Sequence, residues 1–209
     1  MSNNLLLRRR MLMQTGGSPT PPIPYQRVEY LESNGSQAID TGVYLDGDSK
    51  LIVEYQGFTN KYFCVGARKN FMSQAFLYCN GGTSGSNYNQ YFVNYNGSYA
   101  TPACPNDENW HTLEMTNVVK VDGNGIATFT AGTFTTYHTC RLFAYWAIGT
   151  VTYSYGYMRI KSAKIYDGND NLLLDAVAVR DGTTGEMYDQ VSQSLLTRVG
   201  TFIIGPDIN

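Results

Sequence analysis

The chain has 209 residues, 43% of them hydrophobic, which is enough apolar material for a core and excludes a chain that is disordered throughout. The formal net charge of −2 provides no overall attraction to nucleic acid, and no apolar run approaches the roughly 18–20 residues that a membrane span needs. We therefore expect neither nucleic acid nor a membrane among the partners. Abundant tyrosine (17) and glycine (21) favour β-structure.

Residues 1–24 differ in composition from the rest of the chain. The stretch 3–14 mixes good helix formers with three consecutive arginines and is long enough for about two to three helical turns. Residues 15–24 are rich in glycine and proline, which is typical of an extended linker. An apolar run precedes the arginines, the reverse of the order in a secretory signal, so we predict no signal peptide.

Two interpretations of this segment are open: a disordered tail, as at many termini, or an arm that a partner chain orders. We favour a docking arm, extended or helical, because apolar side chains flank the arginines on both sides. The apolar side chains would be buried in the partner, and the arginines would bond to its carboxylates or carbonyl oxygens. The residues expected to dock are Leu5, Leu6, Leu7, Arg8, Arg9, Arg10, Met11, Leu12 and Met13.

The remaining residues, 25–209, are predicted to be one domain of short strands separated by turns. Residues 25–31 and 37–40 are expected to be a first pair of strands. In residues 49–57 apolar and polar side chains alternate with the period of a half-buried strand. This alternation predicts inward positions for Leu51, Val53 and Tyr55, and outward positions for Lys50, Glu54 and Gln56.

A polar and aromatic segment follows, which begins with the glycine- and asparagine-rich loop 80–90. Tyrosine rings beside amide side chains suit stacking on sugar faces, but they are equally typical of a protein interface or a plain surface. All three interpretations remain open. The aromatic residues in question are Tyr88, Tyr91, Tyr95 and Tyr99.

Two hairpins are predicted in the second half of the chain. Residues 118–121 and 126–130 flank the turn Asp122-Gly123-Asn124-Gly125, a strong hairpin signal. Two longer apolar runs, 158–166 and 172–179, flank a turn of aspartate, glycine and asparagine. Just before the first hairpin a strand begins at Trp110, whose ring we expect to pack in the core or at its rim rather than to bind a ligand.

Few residues point to catalysis or to metal binding. The two histidines, His111 and His138, lie in no recognisable catalytic motif, so we interpret both as structural. The four cysteines are widely spaced and include no C-x-x-C pair, so we predict free, buried thiols rather than a zinc site. The turn Asp46-Gly47-Asp48 lacks the further regular oxygen ligands of an EF-hand. No enzyme activity, cofactor or metal is therefore predicted.

The stretch 164–207, KIYDGNDNLLLDAVAVRDGTTGEMYDQVSQSLLTRVGTFIIGPD, resembles the C-terminal half of concanavalin A-like (laminin-G-like) jelly-roll domains. The element YLESNGSQAIDTG, residues 30–42, is similar to their N-terminal signature, so the resemblance covers residues 25–207. Ala38 stands where the family usually has an aromatic residue, and Ala178 where it often has proline. The resemblance implies an antiparallel two-sheet β-sandwich of jelly-roll type and implies no particular ligand.

The resemblance also implies a context, because such domains occur in virion proteins of tailed phages and in surface proteins of gut bacteria. Together with the arm it predicts a phage structural protein, either a capsid decoration, a head fibre or a tail-associated subunit, that assembles in the host cytoplasm. Its expected partners are other virion proteins, capsid or tail, and further copies of itself in a symmetric oligomer such as a trimer. The alternative is a carbohydrate-binding adhesion module that takes a surface glycan. A hydrolase is disfavoured because the E-x-D-x-E triplet of jelly-roll glucanases does not occur.

Overall fold

The computed structural model describes residues 22–59, 61–68, 74–80, 90–104, 107–146 and 153–208, and in these residues the regular structure is entirely β. Of the predicted arm, only residues 22–24 are among them, so its docking residues lie outside the described part of the chain. Within the described ranges, no helix is long and apolar enough to cross a membrane.

The strands are short at both ends of the chain and longest near residue 165. In chain order they are β1 (Gln26–Arg27), β2 (Leu31–Asn34), β3 (Ala38–Asp40), β4 (Lys50–Gly57), β5 (Cys64–Ala67), β6 (Phe76–Asn80), β7 (Tyr91–Tyr95), β8 (Ser98–Ala100), β9 (Trp110–Met115), β10 (Val118–Val121), β11 (Asn124–Thr128), β12 (Arg141–Leu142), β13 (Ala144–Trp146), β14 (Tyr153–Tyr155), β15 (Tyr157–Tyr166), β16 (Leu172–Asp181), β17 (Thr184–Asp189), β18 (Ser194–Leu195), β19 (Thr197–Val199) and β20 (Ile203–Ile204).

Apart from β13 and β14, which form a separate two-stranded sheet, these strands form two antiparallel sheets that pack face to face. The larger sheet follows the order β11-β10-β9-β4-β15-β16-β17-β18, with β1 paired to β16 and β2 paired to both β15 and β20. The smaller sheet follows the order β19-β3-β12-β5-β6-β7-β8, and β13 pairs with β14. The predicted all-β, two-sheet antiparallel sandwich is therefore confirmed.

Two central strands of the larger sheet, β4 and β15, pair along almost their whole length, from Lys50 opposite Tyr166 to Gly57 opposite Met158. The predicted alternation in β4 is confirmed, because the side chains expected inside are at most 1% exposed and those expected outside are all partly exposed. The hairpin predicted from residues 158–179 is confirmed as β15 and β16, which pair antiparallel.

The first predicted pairing is wrong. Instead of pairing with each other, β2 lies in the larger sheet and β3 in the smaller one, because the turn between them carries the chain across the sandwich. The buried Gln37 side chain holds this turn: its oxygen accepts the backbone N–H groups of Asn34 (2.9 Å) and Ser36 (3.2 Å). Its amide donates to the Thr201 carbonyl at 2.9 Å.

The described end of the arm packs on the outer face of the larger sheet. Ile23 and Tyr25 cover a small apolar cluster of Val177, Val179 and Tyr188. The Tyr25 and Tyr188 rings meet edge to face at 5.5 Å. The point where the arm joins the domain is thus fixed by side-chain packing in addition to the β1–β16 pairing.

All four cysteines are buried, as predicted, and carry free thiols. Cys64 and Cys79 lie opposite each other on β5 and β6. Burial raises the pKa of the Cys79 thiol to about 12 and that of Cys140 to about 12. Their thiols therefore stay protonated near neutral pH and pack as small apolar groups.

Candidate functional site

A row of polar and aromatic side chains crosses the outer face of the larger sheet. Trp110 on β9 lies opposite Gln56 on β4, and Gln56 lies opposite Arg159 on β15. Arg159 also lies opposite Glu32 on β2. Since neighbouring strands are about 4.8 Å apart, this row spans about 14 Å across the strands. We call these four residues, together with Tyr30, the Trp110 row.

Arg159 is the fixed centre of the Trp110 row. Its Nε donates to Glu32 Oε2 at 2.6 Å and its Nη1 donates to Gln56 Oε1 at 2.9 Å. The guanidinium also lies over the Tyr30 ring, 4.6 Å from the centroid, and over Phe58 at 5.1 Å. The hydrogen bonds to Glu32 and Gln56 and the contacts with two aromatic rings leave the Arg159 side chain little rotational freedom.

Trp110 is held beside this centre with part of its ring exposed. The Lys161 ammonium lies 4.0 Å from the Trp110 centroid, and the Tyr30 and Trp110 centroids are 5.9 Å apart. Lys161 is also 3.8 Å from Glu29 and 3.7 Å from Glu54. Two cations and three carboxylates therefore surround the row, so its local charge is slightly negative.

A small cleft adjoins the row at the same end of the sandwich. Its cavity volume is only about 10 Å³, far below the roughly 300–1,000 Å³ of most small-molecule pockets. Phe58 belongs to both places, because it contacts Arg159 and also lines the cleft. The lining residues are Tyr55, Gly57, Phe58, Phe63, Tyr91, Cys104, Asp107 and His111. The cleft is thus too small for a small-molecule ligand, and most of its lining residues are buried.

The cleft brings together a histidine, a cysteine and a carboxylate, but their geometry is not that of a nucleophile activated by a base. His111 Nε2 is 2.7 Å from Asp107 Oδ1, and His111 Nδ1 is 2.7 Å from Asp122 Oδ2. With both ring nitrogens bonded to carboxylates, neither is left to take a proton from the Cys104 thiol. The arrangement joins two loops instead.

Of the four tyrosines predicted as ligand or interface residues, two are corrected by the structure. Tyr91 and Tyr95 are only 2% and 1% exposed, because the alternation in β7 turns both rings into the core. The Tyr95 hydroxyl donates to the Gly47 carbonyl at 2.7 Å. Tyr99 is 57% exposed and stacks on Phe92, while Tyr88 lies outside the described residues.

The Trp110 row itself was missed by the sequence analysis, which placed Trp110 in the core or at its rim. One part of the signal was available, because the alternation in β4 correctly turns Gln56 outward. The remaining members of the row depend on which distant strands lie side by side. Gln56 and Arg159 are 103 residues apart in the chain, and no local sequence pattern links them.

No family model and no curated protein matches this chain. Among solved structures it is similar to a proposed carbohydrate-binding protein from Bacteroides ovatus, with a TM-score of 0.57 and 12% sequence identity. The similarity covers 89% of this chain and 62% of the other, so the chain spans less than two thirds of that protein's length. At this identity the likeness shows the fold alone, an antiparallel two-sheet β-sandwich. It does not bear on the predicted virion context.

Proposed function

We propose that the domain is a non-catalytic carbohydrate-binding module and that the Trp110 row is its ligand surface. The observation that carries this proposal is the alignment of one partly exposed aromatic residue with three planar polar side chains at one level of the sheet. The fold shared with a proposed carbohydrate-binding protein supports the same function.

The chemistry of the row suits a sugar. A pyranose ring presents an apolar C–H face, which packs on an aromatic ring, and hydroxyls that both donate and accept hydrogen bonds. Gln56 and Arg159 supply amide and guanidinium N–H donors, and Glu32 supplies acceptors. Because Arg159 already fixes Glu32 and Gln56, ligand binding would order few additional side chains.

The charges around the row indicate which class of glycan it takes. Arg159 and Lys161 are outnumbered by Glu29, Glu32 and Glu54, so the sum is two positive and three negative charges. An acidic sugar would meet net repulsion here, whereas a neutral oligosaccharide would not. The row is about 14 Å long, which suits a short chain lying across the strands.

Replacing Trp110 with alanine is expected to weaken binding to a neutral oligosaccharide about tenfold or more, since the variant removes the apolar platform. The ligand is first found on an array of immobilised neutral and acidic glycans, and the affinity is then measured by calorimetry. Tyr137→Ala is the matched control, because Tyr137 is 61% exposed and lies outside the row. An array without any bound glycan, or equal affinity for Trp110→Ala and wild type, would overturn the proposal.

A second, compatible proposal concerns the arm: we propose that residues 1–21 attach the domain to a virion, as a decoration, head-fibre or tail-associated subunit. The observation that favours attachment at this end is the firm packing of Ile23 and Tyr25, which would transmit the arm's position to the whole sandwich. Assembly in the host cytoplasm and a symmetric oligomer belong to the same proposal. A particle that displays a glycan-binding domain needs both the arm, for attachment, and the sandwich, for binding.

Deleting residues 1–21 is expected to give a folded domain that no longer enters the particle. The deletion stops before Ile23, so the apolar cluster under the arm's end stays covered and the urea unfolding midpoint should not change. Occupancy is measured by mass spectrometry of purified particles. A variant in which residues 5–13 are replaced by glycine and serine keeps the length and should fail as well. Wild-type occupancy of either variant would place attachment on the domain surface.

A further inference from the structure

We infer that His111 is a pH-sensitive positioning residue: its protonated ring holds the loop 107–109 against the sandwich and thereby places Trp110 and Gln56 for binding. The role of His111 in holding the loop is inferred from the geometry and can be measured without a ligand. Its effect on affinity rests on the proposed function.

The two bonds of His111 require the charged ring. Both contacts, to Asp107 and to Asp122, are 2.7 Å long, and a carboxylate can only accept. A neutral imidazole has one N–H, so it can donate to one carboxylate and must turn a lone pair toward the other. The His111 side chain is 11% exposed, so water has little room to replace the lost donor.

The surroundings of the ring agree with this assignment. From β4 the Tyr55 ring packs at 5.8 Å, and Tyr91 and Cys104 line the same cleft. Burial raises the pKa of Tyr55 well above its ordinary value and that of Tyr91 to about 12, so both hydroxyls stay uncharged near neutral pH. The two aspartates are thus the charges that face His111.

Burial by itself lowers the pKa of His111, and the hydrogen bonds and charges of Asp122 and Asp107 outweigh that effect, so the pKa lies above its ordinary 6.5. A raised folded-state pKa means that the stabilisation is complete below 6.5 and is lost as the pH rises through the raised value. The loop is therefore held at acidic pH and released at higher pH.

The released partner is Asp107. Asp122 keeps two bonds to β9 in any protonation state, because its Oδ1 accepts Thr112 N–H at 2.8 Å and its own N–H donates to the Thr112 carbonyl at 2.9 Å. Among the residues that the structure describes, Asp107 is otherwise bonded only to Asn109, within its own loop, at 2.8 and 3.3 Å. The proton therefore stays on Nδ1, and the lone pair of Nε2 repels the Asp107 carboxylate.

The loop that is released contacts the Trp110 row directly. The Gln56 amide donates to the Glu108 carbonyl, and Glu108 Oε1 accepts the Thr59 N–H at 3.4 Å. Trp110 is the residue that follows this loop. Loss of the His111–Asp107 bond therefore frees the Glu108 carbonyl, which is a partner of Gln56. It also frees the backbone that leads into Trp110.

The test measures amide hydrogen-exchange protection at Glu108, Asn109 and Trp110 in the free protein, corrected for the intrinsic pH dependence of exchange. Protection is expected to fall about tenfold as the pH rises through the His111 pKa, which is followed by NMR in the same samples. In Asp107→Asn the fall should disappear, because the new amide can donate to the neutral Nε2. His138→Asn, at the other histidine, should behave as wild type.

Constant protection through the His111 titration, or the same fall in Asp107→Asn, would overturn the inference. Glycan affinity is then measured over the same pH range and should fall in parallel for the wild type alone. Loop release without a change in affinity would overturn the coupling to Trp110. Absence of glycan binding at every pH would overturn the proposed function and leave the loop result standing.

Discussion

Replacing Asp189 with alanine is expected to lower the free energy of unfolding by about 3 kcal/mol. The carboxylate is 1% exposed and accepts three backbone N–H groups, from Asp175 at 3.0 Å, Val191 at 3.1 Å and Ser192 at 3.1 Å. These bonds close the turn after β17 and tie it to β16. Alanine leaves the Asp175 N–H without a partner inside the sheet, whereas water can reach those of the exposed turn.

Urea unfolding measures this effect, with the slope of the transition checked for constancy. Asp189→Asn should lose less, because the amide oxygen can still accept the bonds now made to Oδ1. Asp181→Ala is the control, since Asp181 is an exposed aspartate at the end of the neighbouring strand. Equal midpoints for Asp181→Ala and Asp189→Ala would show that the three bonds do not stabilise the fold.

Replacing Gly66 with alanine is expected to cost about 3–5 kcal/mol, because no side chain fits at this position. Gly66 has a φ of 132°, and a Cβ there would lie 2.1 Å from the Phe76 carbonyl oxygen and 2.9 Å from the Leu77 Cα. Both atoms belong to β6, which pairs with β5 in the smaller sheet. The clash is with backbone and cannot be relieved by a change of rotamer, so the two strands must separate.

The control for this substitution is Gly125→Ala, in the hairpin of β10 and β11, where an added Cβ meets nothing within 4 Å. That variant should unfold at the wild-type urea concentration within error. If Gly66→Ala shares its midpoint, β5 does not approach β6 as described. If Gly66→Ala is too unstable for a urea titration, its refolding yield is compared with that of Gly125→Ala under identical conditions and should be much lower.

The fold was predictable where a local pattern decides it. The alternation in β4 and the turn chemistry between β15 and β16 depend on neighbours in sequence, and both predictions are confirmed. The pairing of the first two strands was wrong because local pattern does not say to which sheet a strand belongs. That choice depends on the Gln37 side chain and its bond to Thr201, a residue 164 positions away.

The candidate site was less predictable, for the same physical reason. Tyrosine in a polar segment indicated an exposed surface, yet the period of β7 buries Tyr91 and Tyr95. The Trp110 row exists only after β9, β4, β15 and β2 are placed side by side, and the His111 bonds only after two loops meet. Neither arrangement leaves a motif in the sequence.

The pairing of β4 with β15 has a consequence for how the protein forms. Leu51 lies opposite Ile165, which is 114 positions further along the chain. On the ribosome one edge of β4 therefore stays unpaired until the chain has been extended by these further 114 residues. Sandwiches dominated by such distant contacts fold in about milliseconds to seconds once complete, and until then their unpaired strand edges are open to aggregation. The rate of synthesis and access to chaperones, more than the final stability, should therefore set the yield of this domain in a cell.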